Sequence, residues 1–430
     1  MKTYLRVLKT IEAAGTRAWL VGDPARDVVR GLEPTDLDVA VERCDLEALA
    51  TSLGSGTLGG DESFPVLRAT LSGVRTEIAC IRGASIEEDL AQRDFSINAI
   101  AIRSDNVLVD PWNGRRDIRN GVIRLTGDDI DLVRNDPIRI LRMFRFASEL
   151  DMDIFWKSGA DVRQFINTSS DAIRSMPSER WGREILSGMN ARPWDFLYLC
   201  DYYGLLPFFM EEIQRLKEIP LEDDESQSLF DHSLETVRAV QEFLKNRKTT
   251  GASVALPLAA IFHHAGAEKG SPTDTKKAAK IASRCLMAWN MGSETTKLVE
   301  TVIQHYHAMY NPVTEEQFCR SLLKHGFEAP MAIVNFAICN SRADKVRDME
   351  TLVANKWRLS EVLRRFEDVR RRMEGNTRYL TGSEVMSLLN IQPGKVVGEI
   401  LGAMDMAVGL GIISSKKEAS EWVKHYRAES

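Results

Sequence analysis

The spacing of hydrophobic and polar positions changes character early in the chain. Up to about residue 125, short apolar runs alternate with turn residues. MKTYLRVLKTIEAAG reads as a short amphipathic helix, Ala18–Val21 is an apolar run ending at Gly22, and Leu37–Val41 alternates apolar and acidic residues with the period of a strand. Val66–Thr70 and Thr76–Ile81 flank a Ser72-Gly73 turn, and Ser96–Arg103 and Asn106–Val109 extend the predicted strands. Helices are predicted over Pro24–Gly31 and Leu46–Leu53. From about residue 128 the period becomes that of helices: Asp131–Leu150, Gly159–Ile173, Ser178–Gly188, Phe230–Leu244, Leu256–His264, Asp274–Met291, Glu294–Ala308, Thr314–His325, Pro330–Ser341 and Asp344–Gly375. Breaks are expected at Pro207, the acidic loop Leu221–Gln227 and the segment Gly266–Thr275. The pattern predicts an α+β fold, a small mixed-sheet head followed by an all-α remainder.

Length and composition narrow the classes. The 430 residues exceed one ordinary domain, and 44% hydrophobic with 27% charged residues is the balance of a soluble globular protein. No window of eighteen consecutive apolar residues suggests a membrane span, and the N-terminus lacks the apolar core of a signal peptide. Six scattered cysteines without a CxxC pair argue against a zinc ribbon or a disulfide framework and fit a reducing cytoplasm. The net charge of −6 gives no overall attraction to nucleic acid, so any RNA contact requires local basic surfaces.

The densest chemistry lies in Trp19-Leu-Val-Gly-Asp-Pro-Ala-Arg-Asp27 and Pro34-Thr-Asp-Leu-Asp38. Residues two apart on a strand share a face, so Asp36 and Asp38 can share a divalent cation; Mg²⁺ is the hard ion that suits them. Glu77, on the next predicted strand, is the candidate third carboxylate of a two-metal site. An isolated DxD is more often a solvated strand. Gly22 and Arg26 upstream add a turn that brings backbone amides to a triphosphate, and a guanidinium beside it. Further on, Asp136, Arg139, Arg142 and Arg145 recur every three residues of the predicted helix and make one polar ridge. Asp136 and Arg139 carry complementary hydrogen-bonding edges that can pair with a base; an ordinary solvated helix face is the alternative.

The first of these segments resembles the head motif of the nucleotidyltransferase superfamily, and specifically the bacterial-type CCA-adding enzyme and poly(A) polymerase family. The likeness continues in order: Arg93-Asp-Phe-Ser-Ile-Asn-Ala99 resembles the arginine-aspartate motif that contacts the ribose, Asp110-Pro-Trp-Asn-Gly114 with Asp117 the turn that closes the head, and Asp136-Pro-Ile-Arg-Ile-Leu-Arg-Met-Phe-Arg-Phe146 the base-reading motif. Tyr379-Leu-Thr-Gly382 through Pro393-Gly394 and Gly398 resembles the tail of long bacterial members. The resemblance implies catalytic Asp36, Asp38 and Glu77, with Asp36 and Asp38 as Mg²⁺ ligands. It implies a nucleotide site of Gly22, Asp23, Arg26, Asp27, Arg93, Asp94, Asn98, Asp136, Arg139, Arg142 and Arg145. The implied substrates are CTP, ATP and the acceptor arm and 3′ end of a tRNA, with pyrophosphate as product. The expected organisation is a catalytic head at 1–127, a helical neck at 128–222, a body at 223–350 and a tRNA-binding tail at 351–430.

Four departures from the family pattern bear on the expectation. Asp23 stands where a second glycine is usual, Asn135 where Glu opens the base-reading motif, and Gln92 where a basic residue is common. Only Gly83–Asp89 links the end of the Arg82 strand to the helix before Arg93, where CCA-adding relatives carry a longer flexible loop; this points to an enzyme that adds only the two cytidines, with full CCA addition as the alternative. A poly(A) polymerase and a catalytically weakened RNA-binding protein are the remaining alternatives. The helical half resembles a histidine-aspartate phosphohydrolase domain at Asp231-His232 and Leu256–Gly266, but His263-His264 lacks the metal-binding aspartate; a scaffold role is expected there, with metal ligation by His232, His263 and His264 as the alternative. Two basic stripes, Lys276, Lys277, Lys280 and Arg284, and Lys356, Arg358, Arg364, Arg365, Arg370, Arg371 and Arg372, are expected to grip tRNA phosphates.

Overall fold

The computed structural model describes residues 2–42, 45–61, 64–221, 224–245, 251–269, 273–344, 349–372 and 378–426. They fall into two compact units, Met1–Ala191 with Leu199–Phe208, and Arg192–Tyr198 with Phe209–Ser430. No helix among the described residues is long and apolar enough to cross a membrane.

The first unit is built on a seven-stranded sheet. Its strands are β1 (Ala18–Val21), β2 (Asp36–Val41), β3 (Thr57–Asp61), β4 (Phe64–Leu71), β5 (Val74–Cys80), β6 (Ala101–Arg103) and β7 (Leu108–Val109), in the order β3-β4-β5-β2-β1-β6-β7. All neighbours are antiparallel except β2 and β5, which run parallel. One face is closed by helices α1 (Thr3–Ala13) and α3 (Leu46–Leu53). Tyr4, Val7, Leu8 and Ile11 of α1 recur at helical spacing and pack with Leu20, Leu37, Val39, Val41 and Ile78 of the strands. Asp45 caps α3 by accepting from the amides of Glu47 and Ala48. On the other face, Trp19, Val21 and Ala40 pack with Ile86 and Leu90 of α4 (Ile86–Ala91) and with Ala99 and Ala101. That second apolar patch leaves the N-terminal half of β2 uncovered, which is where Asp36 and Asp38 stand.

The structure corrects the predicted elements in several places. Ser96–Arg103 is not one strand: Ser96–Asn98 is a 3₁₀ turn, and the strand begins at Ala101. The turn is held by the Asp110–Asp117 motif. Asp110 accepts from the amides of Gly114 and Arg115 at 2.6 and 3.1 Å, starting α5 (Gly114–Asn120), while the Asp117 carboxylate takes the Ser96 hydroxyl at 2.6 Å. A side chain at Gly114 would collide with the Ser96 carbonyl. Strand β3 escapes the pattern because Gly59 and Gly60 interrupt it, and helix α5 because Ile118 is its one apolar side chain and gives no period.

Asp131–Leu150 is two helices, α6 (Asp131–Asn135) and α7 (Ile138–Leu150). Pro137 drives the residue before it out of the helical region, and Asp136 adopts φ −149°, ψ 88°. The ridge of residues every three positions therefore holds from Arg139 onward, and Asp136 projects from a break rather than from the helix. Helices Trp156–Thr168, Ser170–Arg174 and α8 (Ser178–Ala191) complete this part of the chain, α8 lying against α7.

The second unit is helical, with a small antiparallel pair, Pro220–Leu221 with Asp224–Ser228, where an acidic loop is predicted. Its helices include Leu229–Leu244, Gly251–Phe262, Thr275–Ala288, Ser293–His305, Glu315–His325, Ala329–Asp344, Met349–Arg372, Gly382–Leu389, Lys395–Gly409 and Lys416–His425. Capping boxes at Ser228/Asp231, Thr314/Gln317 and Thr381/Glu384 fix three of the starts. Gly375 and the three residues Arg370, Arg372 and Cys44 fall wholly or by their side chains outside the described residues.

Candidate functional site

The site forms where three separated segments of the first unit meet. Strand β1 ends at Gly22, whose φ of +67° turns the chain directly into α2 (Gly22–Val29). A Cβ at Gly22 would lie 3.2 Å from Asp38 Oδ2 and 3.3 Å from Arg93 Nη1, so both the close approach and the left-handed conformation call for glycine. The parallel register pairs Asp36 with Arg75 and Asp38 with Glu77, which places the three carboxylates on one face of the sheet. Burial, joined by the fields of Asp23, Glu77 and Asp36 and opposed by that of Arg93, pushes the Asp38 carboxyl up to about 6.

A cavity of about 510 Å³ opens beside Asp38. It is lined by Gly22, Asp23, Asp38, Arg93, Asp94, Asn98, Asp136, Arg139 and Arg142, all of them sequence-predicted, together with Arg82, Gln92, Ile138, Arg180, Arg183 and Glu184. Asp94 is buried and fully engaged: it accepts from its neighbour Phe95 N–H at 2.9 Å, from Asn98 Nδ2 at 3.3 Å and from Arg142 Nε at 2.7 Å. Burial alone would push its carboxyl up, but the charge and hydrogen bond of Arg142, with help from Asn98 and Arg139, hold it below the usual range. Arg93 forms a two-point pair with the buried Asp89, at 2.9 and 3.1 Å.

Arg139 donates through Nη2 to the Gln92 carbonyl at 3.0 Å, while its Nη1 is buried with no hydrogen-bond partner. Desolvation lowers the pKa of this guanidinium against the pull of Asp94 and Asp136. Asp136, freed from the helix by Pro137, accepts from Arg180 Nη2 at 2.9 Å. The wall of the cavity is therefore strongly polar, with an unsatisfied donor on Arg139 next to a carboxylate on Asp136.

Several sequence-predicted residues stand elsewhere. Arg26 is buried and does not line the cavity: its Nη1 donates to Asp23 at 2.7 Å and to Asn98 at 2.9 Å, and its guanidinium lies 5.1 Å from the Phe146 ring centre. It pins Asp23 and Asn98 instead of facing a triphosphate, because the helix that carries it turns it toward the α7 side of the unit. Asp27 pairs with Arg26 and Arg30, and Arg145 with Glu184 and Glu149, also outside the cavity lining. Asp36 is held by Arg75 at 3.1 and 3.2 Å, and Glu77 by Arg68 at 2.9 Å, both pairs exposed.

Sequence reasoning missed Arg82, Gln92, Arg180, Arg183 and Glu184. The last three occupy positions i, i+3 and i+4 of α8 and so share one face, a signal present in the sequence but not distinguishable there from a solvated stripe.

In the second unit, His232, His263 and His264 come together with their nitrogens within 4.8 Å of one another. The basic stripes are largely neutralised internally. Arg364 pairs with Glu361 and Asp368, Arg365 with Glu315, Lys277 with Glu268 and Arg284 with Glu212. As free phosphate grips they are weaker than the sequence suggests.

The chain matches a family model described as the poly A polymerase head domain over residues 62–124. It is 31% identical over 226 residues to a CC-adding tRNA nucleotidyltransferase of Halalkalibacterium halodurans, an alignment covering 51% of this chain and 58% of that protein. It is 25% identical over 430 residues to an A-adding tRNA nucleotidyltransferase of Deinococcus radiodurans, covering 96% of each. Its fold resembles the crystal structure of the Bacillus stearothermophilus CCA-adding enzyme in complex with CTP, with a TM-score of 0.65 at 19% identity over 98% of this chain and 96% of that one.

Proposed function

We propose that this chain, a member of the tRNA nucleotidyltransferase and poly(A) polymerase family, transfers CMP from CTP to the 3′ end of a tRNA and stops after two cytidines. The observation that carries this reading is the convergence of Gly22, Asp38, Arg93, Asp94, Asp136, Arg139 and Arg142, drawn from distant parts of the sequence, on one polar cavity.

The roles follow from the contacts. The α2 N-terminus at Gly22 offers backbone amides to phosphate oxygens, and Arg93, placed beside Asp38, adds a positive charge on the same side. Asp94 orients Arg142 toward the cavity and holds Asn98, so that the sugar and phosphates meet a fixed surface. The Arg139 guanidinium and the Asp136 carboxylate, both lining the cavity, present a donor and an acceptor to the edge of a base. A base with the wrong edge leaves one of these groups unpaired, and that penalty provides selection.

The primer's 3′-oxygen forms the new bond to the α-phosphorus as the bond to pyrophosphate breaks. The residues fit a divalent cation: burial and the neighbouring carboxylates Asp23, Glu77 and Asp36 push the Asp38 carboxyl up despite Arg93, and a divalent ion would offset that clustered negative charge. Asp38 with Asp36 would hold Mg²⁺, which when bound lowers the pKa of the attacking hydroxyl and offsets charge on the leaving pyrophosphate. For Asp36 to take part, it must exchange its exposed contact with Arg75.

The arrest after two cytidines rests on the segment between β5 and α4. Only 81–85 separate the two elements. Those residues are tied down: Ser85 caps α4, Ala84 N–H donates to Glu88 at 2.8 Å, Arg82 N–H to Asp89 at 3.1 Å, and the Gln92 side chain reaches the Arg82 carbonyl at 3.3 Å. A segment this short and this bonded has no slack with which to re-aim Arg139 and Asp136 for a second base. The test is incorporation of radiolabelled CMP into a tRNA lacking its terminal CCA, by wild type and by Asp38→Ala. Incorporation that survives Asp38→Ala would remove Asp38 from the chemistry.

A further inference from the structure

Three of the second unit's histidines form a cluster that nucleotide transfer does not use. We propose that His232, His263 and His264 bind a late first-row divalent ion, with Zn²⁺ as the probe of choice, in a structural site separate from the head's carboxylates. Each ring offers one nitrogen, and these lie within 4.8 Å of one another. The ring centres of His263 and His264 are 4.0 Å apart, and that of His232 is 5.4 and 5.3 Å from them.

The orientation of His263 is the telling feature. Its Nδ1 lies 2.7 Å from the Ala260 carbonyl, which can only accept, so Nδ1 carries the proton and Nε2 is left as a bare lone pair. That Nε2 is buried without a hydrogen-bond partner in a side chain with 0% exposure. An acceptor orphaned in the interior is costly, and a cation is the natural partner for it. A backbone carbonyl fixing one nitrogen so that the other points at a metal is the usual way a ligand histidine is held. Burial, with the neighbouring His264 and His232, pushes the His263 pKa well down and keeps the ring neutral, as ligation requires.

The other two rings are oriented as well. His232 Nε2 is 3.1 Å from Asn340 Oδ1 and 3.4 Å from Thr236 Oγ1, and His264 Nδ1 is 2.7 Å from Thr273 Oγ1. Three neutral imidazoles suit Zn²⁺, Co²⁺ or Ni²⁺ and not Mg²⁺, which prefers oxygen. With Zn–N bonds of about 2.05 Å, ligand nitrogens in a tetrahedral site stand about 3.4 Å apart. Closing the cluster therefore requires inward movement of about an ångström, which falls to His264, the only one of the three not fully buried. A water on its side completes the fourth position.

The test uses the full-length protein, stripped with chelator, reloaded with Zn²⁺ in the presence of excess Mg²⁺ and desalted. Retained metal is measured by mass spectrometry, and thermal unfolding is followed with and without Zn²⁺. Wild type should retain one Zn²⁺ per chain and unfold at a higher temperature with it. His264→Phe, which keeps a ring in a half-buried position, and His263→Gln should both lose the ion while keeping the wild-type circular dichroism. If His263→Gln does not fold, His264→Phe decides alone. Co²⁺ should give the visible absorption of a four-coordinate site in wild type and not in His264→Phe. Wild type that retains no Zn²⁺, or His264→Phe that retains as much as wild type, would overturn the proposal.

Discussion

Arg180 is the sharpest point at which to perturb the cavity without breaking it. Its Nη2 donates to Asp136 at 2.9 Å, and the two side chains are 40% and 31% exposed. A hydrogen bond between charged partners is worth about 1.5–3 kcal/mol when desolvated. With this much exposure, screening reduces it to about 1 kcal/mol. Asp136 has no helical hydrogen-bonding frame of its own, because Pro137 forces it into an extended conformation, so Arg180 is what aims it.

Arg180→Met should therefore leave the unfolding temperature nearly unchanged. It should reduce the preference for CTP over UTP by about fivefold, the kinetic equivalent of about 1 kcal/mol. The assay is single-turnover extension of a tRNA lacking its terminus, comparing kcat/KM for each nucleotide. Arg180→Lys, which keeps a positive donor, should recover part of the preference. Unchanged CTP/UTP selectivity in Arg180→Met would refute the idea that Asp136 is positioned through Arg180.

Three further outcomes follow from the contacts. Asp94→Ala leaves the donors of Phe95, Asn98 and Arg142 without their acceptor, a loss of about 3 kcal/mol or more for a buried pair with one partner removed; calorimetry should show the transition of the first unit lowered by several degrees, and an unchanged transition would contradict this. Gly22→Ala puts a methyl 3.2 Å from Asp38 Oδ2 at a φ of +67°, so kcat/KM for CTP should fall at least tenfold with a left-handed strain cost of only about 1–2 kcal/mol in stability. The Asp38 carboxyl, raised to about 6 from 3.8, binds its proton more tightly folded than unfolded, so metal-free protein should gain stability as pH falls from 7 toward 4 and lose it as pH rises through 6. Asp38→Asn should flatten that slope, and Mg²⁺ should move the acid limb of activity to lower pH; a slope that Asp38→Asn leaves intact would assign it to another group.

Much of the site was legible because its residues lie in short local patterns. Asp36 and Asp38 alternate on a strand, Gly22 marks a turn after an apolar run, and Arg93-Asp94 and Asp136-Pro137 keep their spacing in the chain. Convergence across the fold was not legible. The sequence gives no sign that Arg75 and Arg68 sit opposite Asp36 and Glu77, since those pairings arise from strand register, or that Arg26 reaches Asn98, 72 residues on. The helix break at Asp136 was readable from Pro137, but the run of arginines at helical spacing outweighed it. Of the fold, the sheet-then-helices order was plain, whereas β3, with Gly59 and Gly60, carried no apolar alternation to announce it.

The most direct measurement resolves the products of tRNA extension at single-nucleotide length. A tRNA ending just before its CCA terminus is incubated with the protein and Mg²⁺, with CTP alone, ATP alone, or both. Growth by two residues is expected with CTP, none with ATP alone, and no third residue when both are present. A third residue with both nucleotides would show that the short 81–85 segment does not limit the enzyme to cytidine, and long adenylate tails with ATP alone would make it a poly(A) polymerase. No extension under any condition would contradict the central claim that this cavity transfers nucleotides.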